Sequence, residues 1–127
     1  MRRPAQALVE FALAISVFML LVLGTFDLAR AYLAYTVVAN AAREASRYGA
    51  VHVGESGWAA AAVQAGTNLA VGLDPNALKL TATTQTIDML PFITVSGTYG
   101  FHSLTPLVGG LLGDPINIRV DTSTIAG

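Results

Sequence analysis

The stretch that decides the fold reads FALAISVFMLLVLGTF, residues 11–26, and it contains no charged residue. Together with the mostly apolar residues from Ala5 onward, it reaches the roughly 20 residues that cross a hydrocarbon core as a helix. Arg2 and Arg3 precede this stretch, while the charges just after it cancel, and basic flanks stay on the cytoplasmic side. The sequence therefore predicts one membrane-spanning helix, with the N-terminus inside and the rest of the chain outside.

The composition also indicates a chain that meets lipid. Of its 127 residues, 54% are hydrophobic and 12% are charged, which is too apolar for an ordinary soluble domain of this size. The net charge is -1 and the arginines form no basic stripe, so we expect no nucleic-acid partner. Because cysteine is absent, disulfides and thiolate metal sites are excluded. Any exported domain must be held together by packing.

A cleavable secretory signal is an alternative interpretation of the same N-terminus. The basic start and a small-x-small site ending at Ala31 are typical of such signals, and the product would be a secreted binding module released after Ala31. Two features argue against it: Glu10 stands at the start of the apolar core, and the helical pattern runs through Ala31 without a break. The sequence therefore favours a retained anchor.

The helical pattern continues from Asp27 to Gly49 without a proline, which predicts one helix of about 45 residues from Ala5. Small apolar residues recur at spacings of three and four along its second half, and such a stripe lets another backbone or a sheet approach closely. This small-residue stripe consists of Ala31, Ala34, Val38, Ala41 and Ala45. It predicts packing on the chain's own domain, contact with another subunit, or both. The charged residues of this half are expected to pair along the helix: Asp27, Arg30, Arg43, Glu44 and Arg47.

The remainder of the chain predicts a small domain with a sheet. A glycine-rich loop follows Gly49, and residues 58–70 are rich in alanine and predict a short second helix. Three segments then alternate in the manner of strands, at residues 79–87, 92–101 and 116–125, with an exposed apolar loop at 102–114 that is a candidate subunit contact. We expect an α+β, pilin-like fold: a long N-terminal helix, a short second helix and a three-stranded antiparallel sheet.

No pattern in the chain predicts catalysis. His52 and His102 are far apart and neither belongs to a metal-ligand spacing, and no serine lies in a nucleophile turn. We expect no catalytic, cofactor-binding or metal-binding residue and no enzymatic activity. A membrane-anchored enzyme is the least favoured alternative.

Glu10 admits two interpretations. A carboxylate near the membrane interface can reach lipid headgroups or pair with Arg2 or Arg3. Alternatively it serves a contact between subunits, because an ionisable group inside an apolar segment usually has a specific partner. The partner that recurs in helical filaments is the free amine of a neighbouring chain.

Residues 6–50 resemble the TadE-like family of small pilin-like proteins of tight-adherence pilus systems. Three motifs carry the resemblance: QALVEFAL at residues 6–13, FDLARA at 26–31 and NAAREASRY at 40–48. LTPLVGGLLG at 104–113 is similar to the exported half of the family. The resemblance implies a membrane-inserted minor pilin or pseudopilin that assists pilus assembly, in contact with lipid, other pilin-like subunits and the assembly machinery. A main filament subunit is the alternative.

The resemblance also implies processing by a prepilin peptidase. The cut would fall between Ala5 and Gln6 and leave Glu10 as the fifth residue of the mature chain; Ala5 stands where such leaders usually have glycine. The implied organisation is a short cytoplasmic leader-like segment at 1–5, a transmembrane helix at 6–26, its exported continuation at 27–49 and a small exported domain at 50–127. The protein would be a single-pass inner-membrane protein, and its incorporation into the extracellular pilus stays open.

Overall fold

The structure, a computed structural model, describes residues 3–127, with side chains from Pro4 onward. Met1 and Arg2 of the leader-like segment lie outside the described residues. Six elements follow one another: α1 (Arg3–His52), α2 (Trp58–Leu69), β1 (Leu78–Ile87), β2 (Leu90–Phe101), α3 (Pro106–Leu112) and β3 (Ile116–Ile125). This arrangement confirms the predicted α+β fold.

The three strands form one antiparallel sheet in the order β1-β2-β3. Strand β2 lies in the centre, and its Gly97 pairs with Leu80 of β1 and with Val120 of β3. A two-residue turn, Asp88 and Met89, joins β1 to β2, and both residues have positive φ angles (51° and 64°), as a type I′ hairpin turn requires. All three strands therefore present alternate side chains to the same face.

The second half of α1 packs across that face and forms the core with it. Ile93 and Val95 of β2 are fully buried against Ala42 and Ala45 of α1. The approach is close, because a Cβ atom added to Gly97 would lie 2.9 Å from Val38 Cγ1. Alanines on the helix and Gly97 of the central strand thus let the two elements approach closely around the larger side chains of β2.

The sequence predicts that the long helix ends at Gly49, but the helix continues to His52. Gly49 is buried, and a Cβ atom there would come within 3.0 Å of Ile93 Cγ2 and 3.1 Å of Trp58 Cζ3. This glycine makes room for neighbouring side chains inside the helix. The chain turns instead at Gly54, whose φ of 96° suits glycine.

The apolar loop predicted at residues 102–114 contains the short helix α3. Pro106 stands in the first turn of α3, where a missing N–H group is tolerated, and Gly113 with a φ of 85° follows its last residue. Two adjacent glycines, which disfavour a helix, explain why the sequence alone indicates a loop here.

We predict that Gly66→Ala destabilises the domain. Gly66 of α2 faces α1, and a Cβ atom there would lie 2.5 Å from the carbonyl oxygen of Ala41. Helix α2 would have to move, at a cost of about 1–3 kcal/mol in the free energy of unfolding. Denaturant unfolding of the full chain in detergent micelles measures this cost.

Gly110→Ala is the matched control, since Gly110 also lies in a helix but a Cβ atom there meets nothing within 4 Å. It should leave the stability unchanged or raise it by up to about 1 kcal/mol through helix propensity. Equal stabilities for the Gly66→Ala protein and the wild type would contradict the close contact between α1 and α2.

Candidate functional site

The first half of α1 is an exposed apolar surface. No residue from Pro4 to Phe26 is buried in the chain, and the mean hydropathy of its most apolar 18-residue window is 2.5. The helix is long and apolar enough to cross a membrane. This half of α1 fits a single-pass membrane anchor.

Glu10 lies on this exposed surface, one residue before the uncharged stretch. The hypothesis that it pairs with Arg2 or Arg3 depends on side chains outside the described residues. Ala5 and Gln6, the residues at the implied cut, are exposed and lie within α1. The role of Glu10 as a contact between subunits stays a prediction.

Asp27, the first charged residue after the apolar stretch, is 2% exposed. Its carboxylate accepts two backbone hydrogen bonds from the segment before α3: Leu104 N–H donates to Oδ1 at 2.9 Å and Thr105 N–H donates to Oδ2 at 2.8 Å. The guanidinium of Arg30 lies 3.3 Å from Oδ1. Hydrogen bonds to this single carboxylate therefore hold residues 104 and 105 against the long helix.

These contacts lower the pKa of Asp27. The hydrogen bond from the Leu104 N–H group has the largest effect, followed by hydrogen bonding from Thr105; Arg30 adds a smaller attraction, and burial opposes all three. Backbone N–H groups favour the ionised carboxylate because they donate to its charged form. Asp27 is therefore ionised at neutral pH although it is covered by the chain.

Arg30 connects Asp27 to the sheet. Its guanidinium carbon lies 5.2 Å from the centre of the Phe101 ring, at the end of β2. A cation over an aromatic face is attracted by the ring. Asp27, Arg30 and Phe101 thus join helix, loop and sheet at the place where the helix leaves its apolar half.

The small-residue stripe is used largely within the chain itself. Ala34, Val38, Ala41 and Ala45 are at most 4% exposed, and only Ala31 is half-buried. The first of the two predicted uses, packing on the chain's own domain, accounts for the four buried residues. A contact between subunits through the stripe stays a prediction. Of the five stripe residues, Ala31 alone has exposed surface that could take part in it.

The remaining charged residues of α1 lie on its exposed side. Arg47 pairs with Glu44 at 2.8 Å, whereas the guanidinium of Arg43 donates to the side-chain oxygen of Asn40 at 3.1 Å. Exposed pairs of this kind contribute little to stability. They keep this face of the helix polar.

The segment that Asp27 holds, residues 103–113, presents leucines to the outside. All four are more than half exposed: Leu104, Leu107, Leu111 and Leu112. At its base His102 Nδ1 lies 3.0 Å from Asp114 Oδ1, with both side chains exposed. A groove of about 390 Å³ separates α3 from α1, and its lining includes Gly24, Leu28, Val108 and Leu112.

Within residues 3–127, no cluster of three or more His, Asp or Glu side chains could hold a metal ion. His52 stacks on Tyr48 with a ring-centre distance of 4.1 Å, and its Nδ1 lies 2.9 Å from the carbonyl oxygen of Tyr48. The candidate site therefore has three parts: the exposed apolar half of α1, the buried carboxylate of Asp27, and the apolar segment at residues 103–113 that this carboxylate binds.

Sequence reasoning places Asp27 in a helix charge pair but misses its main partners. Residues 104 and 105 follow Asp27 by 77 and 78 positions. Because every residue except proline has a backbone N–H group, the sequence does not indicate which of these groups bind Asp27. The available signal is indirect: an acidic residue at the end of an apolar helix needs donors, and a loop without charged side chains has only its backbone to offer.

The family model described as TadE-like protein matches residues 5–47. The matched residues include the apolar half of α1, Asp27 and the stripe as far as Ala45. This match confirms the resemblance over the long helix. Comparisons with curated proteins and with solved structures gave no match.

We predict that Asp27→Asn loosens residues 104 and 105. Asparagine has one acceptor oxygen and no charge, and its amide group would face an N–H donor. The melting temperature of the full chain in detergent micelles should fall by several degrees, and amide hydrogen exchange at Leu104 and Thr105 should become faster. Asp74→Asn is the control, because the exposed side chain of Asp74 accepts one N–H bond, from Asn76 at 2.9 Å, in a turn that asparagine also supports.

The effect of Asp27→Asn should depend on pH. Since the folded pKa of Asp27 is below the unfolded value of about 4, its stabilisation is complete above that value and is lost as the pH falls through the folded pKa. The difference in melting temperature between wild type and variant should therefore narrow below about pH 4. Hydrogen bonds from Ser96 and Arg119 also lower the pKa of Asp121. Because Asp121 is present in both proteins, its contribution cancels in the difference between their melting temperatures. A constant difference at all pH values would contradict the assignment.

Proposed function

We propose, from the match of residues 5–47 to the TadE-like family, that this protein is a membrane-anchored minor pilin or pseudopilin that assists assembly of a tight-adherence pilus. The exposed apolar half of α1 supports the proposal, because such a surface needs lipid or other helices to cover it. The proposed role is assembly without catalysis.

The proposed arrangement has a leader-like segment at 1–5, a membrane span at 6–26, an exported continuation at 27–49 and an exported domain at 50–127. Basic residues before the span favour the N-terminus inside. Continuity of α1 supports retention over release after Ala31, because Ala31 lies in the middle of the helix. Asp27, before that site, also binds the segment at 104 and 105, which lies after it.

Glu10 is the proposed contact to a neighbouring pilin-like subunit. If a prepilin peptidase cuts between Ala5 and Gln6, the new amine of Gln6 lies about 6 Å from Glu10 along the helix axis. A neighbour displaced by that amount along the axis would bring its Glu10 beside this amine. In lipid such a pair is favoured, because either charge alone is costly.

The burial of the stripe supports a contact in the membrane half. Since Ala34, Val38, Ala41 and Ala45 are covered by the chain's own domain, they have no surface to offer to a neighbouring subunit. In the membrane half, by contrast, an exposed apolar surface extends from Pro4 to Phe26 and includes Glu10. Proposed contacts with other pilin-like subunits therefore lie there.

We predict that Glu10→Gln inserts normally but associates poorly. Glutamine keeps the size and hydrogen bonding of glutamate and removes the charge, so co-purification with partner pilins and the number of pili should both fall several-fold. Glu10→Asp should keep part of the activity. Glu55→Gln, an exposed carboxylate in the loop after α1, is the control and should behave as wild type.

Equal membrane amounts and the N-terminal sequence of each protein must be established first. A mature chain that begins at Gln6 supports processing, whereas a mature chain that begins after Ala31 would overturn the anchor. If Glu10→Gln associates and forms pili as wild type does, Glu10 is only an interfacial carboxylate. If this protein is the most abundant subunit of sheared pili, it is the main filament subunit.

A further inference from the structure

We propose that residues 103–113 form an interfacial segment: a second membrane contact that rests among the lipids of the outer leaflet beside α1. The proposal rests on the membrane anchor proposed above and adds a lipid-binding surface within the exported half. The segment comprises α3, the residues that lead into it and Gly113.

The level of the interfacial segment along α1 is the first argument. Leu104 and Thr105 are fastened to Asp27, which directly follows the uncharged stretch. The groove between the two elements is lined by Gly24, Asp27 and Leu28 on one side and by Val108 and Leu112 on the other. Because α3 lies beside residues that begin in the apolar stretch, a membrane that covers this stretch also reaches α3.

The chemistry of the segment is the second argument. It contains no charged side chain; His102 and Asp114 flank it in the sequence, and the Asp27 carboxylate that contacts it is covered by the chain. Leu111 is 77% exposed and Leu112 is 70% exposed, and Phe26 and Leu28 of α1 are exposed to a similar extent. Leucines on both elements therefore continue the apolar surface of the span beyond the helix itself.

The backbone of the segment is suited to a place with little water. Unpaired N–H groups are costly near hydrocarbon. The N–H groups of Leu104 and Thr105 donate to Asp27, and those of Val108 and Gly109 donate to the carbonyl oxygen of Thr105 at 3.1 and 3.2 Å. Asp27 thus supplies the acceptors that the start of α3 needs.

Lipid suits this surface better than a second copy of the chain. A stable interface between proteins buries about 800 Å² on each partner, and a seven-residue helix with a few leucines is small for that purpose. The membrane needs no such area, because the span already holds the segment at the interface.

Site-directed spin labelling tests the proposal, since the chain has no native cysteine. Leu111→Cys places a label on the segment, Leu21→Cys places one in the span, and Met89→Cys places one on the β1–β2 turn, where the side chain is 96% exposed. The full chain is reconstituted in phosphatidylcholine vesicles. For each label we measure the ratio of collision rates with oxygen, which partitions into lipid, and with a polar nickel complex.

We expect the ratio at residue 111 to be several-fold higher than at residue 89 and lower than at residue 21. Equal ratios at 111 and 89, with a high ratio at 21, would overturn the interfacial segment and leave the anchor intact. A low ratio at 21 would instead contradict the anchor. Protection of residue 111 from both reagents, lost on dilution with lipid, would indicate a contact between copies and would also overturn the proposal.

Discussion

The close approach of α1 to the sheet is the constraint on which the rest of the structure depends. The domain has only one sheet and little bulky apolar material, so its stability requires that helix and strands come nearer than large side chains allow. Alanines on α1 and Gly97 on β2 make this possible, and Gly66 does the same between α1 and α2. The four buried residues of the stripe are occupied by the chain's own domain, whereas the membrane half of α1 stays exposed and available to lipid or to other subunits.

Asp27 extends this packing to the boundary of the apolar half. A buried carboxylate is costly unless donors surround it, and here the donors are the backbone N–H groups of the segment before α3. The interaction satisfies both partners, because those N–H groups would otherwise lie unpaired beside an apolar surface. It also fixes where the end of the sheet sits relative to α1, with the Arg30 guanidinium over Phe101 as a second connection.

The sequence predicts those parts of the fold that periodicity determines. The three strands begin and end within two residues of their predicted bounds, because alternation and turn residues delimit them. The end of α1 is missed because Gly49 serves packing, a use that a single sequence does not distinguish from a helix end. Helix α3 is missed because its two adjacent glycines disfavour a helix. The bonds of Asp27 are missed because they join its side chain to backbone groups 77 and 78 positions away.

Two carboxylates stand at the ends of the apolar half of α1, and they differ in burial and in hydrogen bonding. Glu10 and Asp27 are about 26 Å apart along the helix axis at 1.5 Å per residue, close to the thickness of a hydrocarbon core of about 30 Å. Asp27 finds its donors within the chain, whereas Glu10 is exposed. If the proposed pairing of Glu10 with a neighbour's Gln6 amine displaces two subunits by about 6 Å along the axis, their α3 helices are displaced by the same amount, because α1 is continuous from Glu10 to Asp27. Under these two proposals, neighbouring subunits would therefore hold residues 103–113 at depths that differ by about that distance.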